Sequence, residues 1–156
     1  MMTNSQKCLL PQGGRAIVLS IKPKYAELIL AGTKTVELRR MWAAEQVGMI
    51  VIYASSPVCR LVGRVNVQDV VRAAPSTLWK HSVQRGGGLT RRELFDYFSG
   101  KDAGYAVLLD DVVKFEKMIE PQAVIENFSA PQSFRYLSAA EIRKLEQKVR
   151  IRKAKQ

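Results

Sequence analysis

The six residues Met49–Ala54, MIVIYA, leave no polar side for an extended chain to turn toward water. Successive side chains of a strand point to opposite faces, so a strand apolar at every position needs cover on both. Ala16–Ile21 is a second apolar, β-branched run of the same kind. With 156 residues, 47% hydrophobic and 25% charged, the chain fits one domain of ordinary size and is not globally disordered. The longest near-apolar stretch, Val47–Ala54, falls well short of the ~18 residues of a membrane span.

Between and beyond these runs the pattern is mixed. Residues 1–14 read as a flexible lead-in broken by Pro11 and Gly13-Gly14. Pro23 stands at the first turn of a helix made amphipathic by Ala26, Leu28, Ile29 and Ala31, and Gly32 closes it in a left-handed cap. Thr35–Arg40 is a strand with Val36 and Leu38 alternating against Glu37 and Arg39. Val58–Arg72 is a long strand or bent pair in which Arg60, Arg64, Asn66 and Gln68 share one face, and Gly63 marks a bulge or barrel bend. Pro75 to Arg85 is helical, Gly86-Gly87-Gly88 reads as a mobile loop, and Thr90 caps a short helix ended by Gly100. Ala103–Leu109 and Val112–Phe115 read as a hairpin about Asp110-Asp111. Ser138 and Glu141 form a capping box that opens a last helix, with Ile142, Leu145 and Val149 as its stripe, and Arg150–Gln156 is expected to fray. Short, bulged strands outnumber long helices. The expected fold is α+β, a small β-barrel with helices packed around it.

The charge narrows the function. The net charge is +11, and the last sixteen residues alone carry seven Lys/Arg against two Glu. Such an excess points to a polyanion, most often nucleic acid, although basicity late in a helix also suits its dipole. The first residues have no apolar core of a secretory signal, and the two cysteines, Cys8 and Cys59, make neither a CxxC site nor a disulfide framework. The expected location is the cytoplasm, with no membrane contact, no metal site and no cofactor. The lone His81 and the glycine triplet match no catalytic or phosphate-loop pattern.

The residues richest in chemistry lie between 20 and 40. A helix ending at Gly32 fixes where Lys34 emerges, and Glu37 and Arg39, two apart on a strand, share its face. Two cations around one carboxylate suit a phosphate or a polar base edge; the same cluster also reads as a surface ion pair. Trp42, Tyr53, Trp79 and Tyr105 are candidate stacking platforms, with Trp79 better placed in the core, and Arg91 and Arg92 are further candidates for phosphate.

Gly32, Lys34, Glu37 and Arg39 match the GxKxxExR motif, and with SIKPKYAELILAGTKTVELR around them the chain resembles the ASCH domains of the PUA-like superfamily. The resemblance extends through Tyr53–Pro57, Leu61–Gly63, Gly104–Ala106 and Pro131–Leu137, so that an ASCH domain spans 15–137, followed by a basic helix and tail over 138–156. It implies a PUA-like barrel with a cleft lined by the motif, and a protein that binds RNA or a modified nucleoside, as a regulator of transcription, translation or RNA processing. Lys34, Glu37 and Arg39 would line that cleft, with Arg40, Trp42, Tyr53, Arg60 and Arg64 adding contacts. Three phosphate contacts would give a slope of log affinity against log salt of about −2.

Some ASCH relatives are enzymes. One group removes the acetyl group of acetylcytidine with a Lys and a Thr of this motif and a later Glu. Here Lys34 is kept, Glu37 replaces the threonine, and the later segment reads QRGGGL without a carboxylate, although Glu93 follows a few residues on. Another relative is a ribonuclease, and Lys34, Glu37 and Tyr53 are groups able to supply metal-free RNA cleavage. A hydrolase centred on Lys34 and Glu37, and a ligand-sensing regulator with a protein partner, are the alternatives to an RNA-binding module.

Overall fold

The computed structural model describes residues 13–154, with side chains to residue 149. One six-stranded mixed sheet runs in the order β2-β5-β4-β3-β1-β6. Its strands are β1 (Arg15–Ile21), β2 (Val36–Arg39), β3 (Val47–Ala54), β4 (Arg60–Ala73), β5 (Gly104–Ile119) and β6 (Phe134–Tyr136). Only β1 and β3 pair in parallel. Bulges between Ile52 and Tyr53 on β3 and at three places between β4 and β5 bend the sheet, which curls into an α+β half-barrel. Helices α1 (Pro23–Leu30), α2 (Pro75–Gln84), α3 (Arg91–Tyr97) and α4 (Ala139–Ala154) surround it.

The two apolar runs occupy the neighbouring strands β1 and β3. Ala16, Val18, Met49, Val51 and Tyr53 pack with Phe115, Ile125 and the α4 residues Ile142 and Leu145. Their alternates Ile17, Leu19, Ile50 and Ile52 pack inside the curl with Ala26 and Ile29 of α1. Cover on both faces is what the continuous run requires. A third cluster joins Val36 and Leu38 of β2 to Leu78 of α2, to Leu94 of α3 and to Phe98, which caps α3.

The expected hairpin at Asp110-Asp111 is not formed. β5 runs unbroken from Gly104 to Ile119 beside the fourteen-residue β4. Asp111 takes a left-handed conformation, φ +53°, and makes a bulge where a turn was expected. Arg64 donates to the Asp111 carbonyl at 3.3 Å and Asn66 to its carboxylate at 3.2 Å, holding the bulge from β4. α4 also continues past Arg150 to Ala154, where fraying was expected. Most of the expected lead-in, and residues 155–156, lie outside the described residues.

The start of α4 shows how charge supports the fold. Glu141 accepts both Arg135 guanidinium nitrogens, at 3.1 and 2.9 Å, and the Ser138 N–H at 2.9 Å. Burial alone would push its carboxyl up, but the Arg135 fork and the Ser138 bond outweigh it, and the net displacement is downward. A carboxyl held below its unfolded value adds stability that is complete above that value and lost as pH falls through the folded one. Glu141→Gln is expected to lower unfolding free energy by about 1 kcal/mol at pH 7. It should also flatten the loss of stability on acidification, as read by urea titrations from pH 7 to 3. Parallel losses in both proteins would show that the pair is idle.

Candidate functional site

The curl of the sheet leaves a seam between its two edge strands, and the site lies there. β2 forms one edge and β6 the other, and they are not paired with each other. Arg39 at the end of β2 bridges the gap: it donates to Ser133 Oγ at 2.9 Å, just before β6, and to the Ser20 carbonyl of β1 at 3.5 Å. A cleft of about 1020 Å³ opens along this seam, lined by Lys34, Glu37, Arg39 and Tyr53 and by residues of β1, α3 and the segment before β6.

Lys34 owes its place to the end of α1. Gly32, at φ +81°, closes the helix, with its N–H donating to Ile29 and the Thr33 N–H to Leu28, which is the left-handed glycine cap expected there. The Lys34 N–H also donates to Leu28 at 3.0 Å, so the chain leaves the helix in one direction. The side chain is 2% exposed. Its Nζ donates to the Gly87 carbonyl at 2.6 Å, lies 3.8 Å from Glu37 Oε1, and stands 5.2 Å from the centre of the Tyr25 ring. Burial pulls the amine below its ordinary value of 10.5, and Glu37 only partly offsets this. Glu37 sits between the two cations. Its Oε2 is 3.8 Å from Arg39, and its Oε1 accepts the Leu38 N–H at 3.2 Å. Tyr53 has its ring against Phe128 at 5.2 Å, and burial, with Cys59 next in effect, pushes its phenol up, so the hydroxyl keeps its proton at neutral pH.

The other four expected contacts stand elsewhere. Arg64 is buried within the sheet at the Asp111 bulge, and its Nε has no hydrogen-bond partner among the described residues. Arg60 donates to the Cys59 carbonyl and pairs with Glu120 at 3.6 Å. Arg40 is exposed outside the cleft lining, with its backbone N–H on the Tyr97 hydroxyl. Trp42 folds back onto the core, its ring 6.3 Å from that of Phe134. Of the remaining aromatics, Trp79 is partly buried against the third cluster, as expected for a core residue.

The glycine triplet is what sequence reasoning missed. The expected mobile loop is packed. Gly86 (φ +65°) and Gly88 (φ +84°) adopt conformations that favour glycine. A Cβ on Gly86 would run into the Thr33 carbonyl, and one on Gly87 into the Ser82 hydroxyl. Between them the Gly87 carbonyl is delivered to Lys34. A buried lysine awaiting an acceptor, and three glycines with no other motif, were the available signal. Glu93 does line the cleft, as do Asp96 and Tyr97 beside it on α3, which sequence reasoning had not placed there.

An α+β half-barrel with a buried lysine, a carboxylate and an arginine across its open seam defines a class of small cleft-bearing domains. The ASCH domain family model matches residues 19–148, and the chain belongs to that family. An ASCH domain-containing ribonuclease of Zymomonas mobilis is 33% identical over 134 residues, 82% of this chain and 88% of that protein. The crystal structure of ASCH from Zymomonas mobilis superposes with a TM-score of 0.77 at 31% identity, covering 84% of this chain and 93% of that one. The N-terminal domain of Staphylothermus marinus McrB shares the fold, with a TM-score of 0.55 at 14% identity over 91% of this chain and 97% of that one.

Proposed function

We propose that the cleft takes one nucleotide of single-stranded RNA and that the protein cleaves the phosphodiester beside it. The observation that carries this reading is the Lys34 amine, buried in the cleft and held below its ordinary value, next to Arg39 and a protonated Tyr53. The Zymomonas mobilis relative named as a ribonuclease supports it. In such cleavage a base takes the 2′-OH proton, the 2′-oxygen attacks phosphorus, and the P–O5′ bond breaks as the leaving oxygen gains a proton. Lys34 in its neutral form is the base, Arg39 holds the phosphate charge, and Tyr53 donates to the leaving oxygen. Glu37, 3.8 Å from each, keeps the Lys34 amine and the Arg39 guanidinium in place. Deacetylation of acetylcytidine is less well served, because Lys34 meets the Gly87 carbonyl from the segment where those relatives carry a carboxylate.

With Arg64 buried and Arg60 paired to Glu120, two lining cations remain for backbone phosphate, Lys22 and Arg39. The slope of log affinity against log salt is then expected to be about −1.4, shallower than three contacts would give. The test is incubation of the protein with an end-labelled single-stranded RNA of mixed sequence, in EDTA. Cleavage is expected, leaving 2′,3′-cyclic phosphate ends, and a 2′-deoxynucleotide at the cut site should block it. RNA retained but intact would replace this reading with that of an RNA-binding regulator. Neither binding nor cleavage at low salt would end both.

A further inference from the structure

The cleft is not uniformly cationic. One wall, made by β2 and the turn before it, carries Lys34 and Arg39 around Glu37, while the α3 wall carries Glu93, Asp96 and Tyr97. A site for phosphate alone gains nothing from carboxylates on its rim, since each raises the energy of a nearby anion. The three acids are not equivalent. Glu37 lies between the two cations, and Glu93 Oε1 accepts the Thr90 N–H at 2.9 Å as part of the α3 capping box. The Asp96 carboxylate, exposed and lining the cleft, makes no hydrogen bond or ion pair among the described residues.

Beside it stands an aromatic ring whose position is fixed. Tyr97 is 38% exposed, although its ring sits edge-on to that of Phe98 at 4.8 Å. Its hydroxyl accepts the Arg40 N–H at 3.3 Å, one residue along from Arg39. Leu94 and Phe98, packed with Val36 and Leu38, hold α3 on β2. A held aromatic face and an unused carboxylate therefore share the cleft with the arginine assigned to phosphate.

We propose that Asp96 and Tyr97 are specificity-determining residues that select guanine, an inference that rests on the RNA reading above. Tyr97 stacks on the base while the two oxygens of Asp96 accept from guanine N1–H and N2–H. Guanine is the one standard RNA base that offers two adjacent donors to a single carboxylate. Adenine and cytosine set an acceptor nitrogen beside their amino group, and uracil sets its one N–H between two carbonyls. The carboxylate that costs phosphate binding is thereby explained: it rejects three bases of four.

The test uses the full-length protein and short single-stranded RNAs that differ only at one central nucleotide, with every 2′-OH methylated so that no cleavage intervenes; the same RNAs unmodified report cleavage. Guanine is expected to bind about ten- to a hundredfold more tightly than adenine, cytosine or uracil. Inosine, which lacks the 2-amino group, should lose about tenfold, and 7-deazaguanine, which keeps both donors, should lose nothing. Asp96→Asn should bring guanine within about threefold of the other bases. Tyr97→Leu should weaken all four by about tenfold, and Tyr97→Phe, which keeps the ring and its edge contact with Phe98 but loses the bond from the Arg40 N–H, by no more than about threefold. Equal binding of the four bases, or a guanine preference that survives Asp96→Asn, overturns the inference. RNA cleavage without base preference would do so while the RNA reading stands; failure of every RNA to bind would remove both. Asp96 is exposed, and circular dichroism of the variants separates lost selectivity from lost fold.

Discussion

Lys34→Met is expected to lower RNA cleavage by about a thousandfold while leaving the protein at least as stable as before. The rate effect is the size of a lost general base. The stability effect follows from burial. The amine is 2% exposed, and among the described residues water is replaced by one carbonyl oxygen within hydrogen-bond distance and a carboxylate at 3.8 Å. Methionine fills much of the same volume without the charge, and Glu37 keeps Arg39 as a partner. Because folding holds the amine below 10.5, the unfolded chain binds that proton more readily. Between the folded value and 10.5 the unfolded state carries more protons, so stability rises with pH across that window, and Lys34→Met should remove the rise. Urea unfolding at several alkaline pH values measures it. Lys34→Arg should also be inactive and, unlike Lys34→Met, less stable, because a guanidinium cannot shed its charge. Cleavage that survives Lys34→Met would exclude Lys34 as the base.

Local chemistry explains which parts of this fold and site were legible from residues alone. The strand, the Pro23 helix start, the Gly32 cap and the emergence of Lys34 are set by neighbours in sequence, and they were readable. So was the shared face of Glu37 and Arg39 on β2, because period two on a strand fixes which side chains stand together. The hairpin was misread because a turn and a bulge draw on the same property. Asp tolerates the left-handed region, and only the length of β4 decides that β5 continues through it.

Contacts distant in sequence account for the other misplacements. Alternation put Arg64 on a polar face, yet Leu61–Val65 of β4 is buried at every position, because the half-barrel is covered inside and out. Trp42 follows Arg39-Arg40 in the chain but turns toward Phe134, more than ninety residues on. The cleft itself joins residues near 20, 37, 53, 96 and 132, and no window of sequence contains that seam.

Gly87→Ala is expected to damage fold and site together. The added Cβ would overlap the Ser82 hydroxyl and lie 2.9 Å from Ser82 Cβ, in the last turn of α2. Ser82 is buried and its Cβ is fixed by the α2 backbone whichever way the hydroxyl turns, so the loop must move, at a cost of about 1–3 kcal/mol. Movement also withdraws the Gly87 carbonyl from Lys34, which leaves the buried amine without its acceptor at 2.6 Å. Cleavage should fall by about a hundredfold even at temperatures where the variant is folded. Relief should follow the atoms removed. Ser82→Ala in the same chain takes away the hydroxyl but keeps the 2.9 Å contact, and should restore part of the stability. Ser82→Gly removes both and should restore more packing, less the ~1 kcal/mol that glycine costs in a helix. Thermal unfolding and cleavage rates of the two double variants measure this order. If Gly87→Ala retains the stability and rate of the natural protein, the glycine is not what holds the Lys34 acceptor in place.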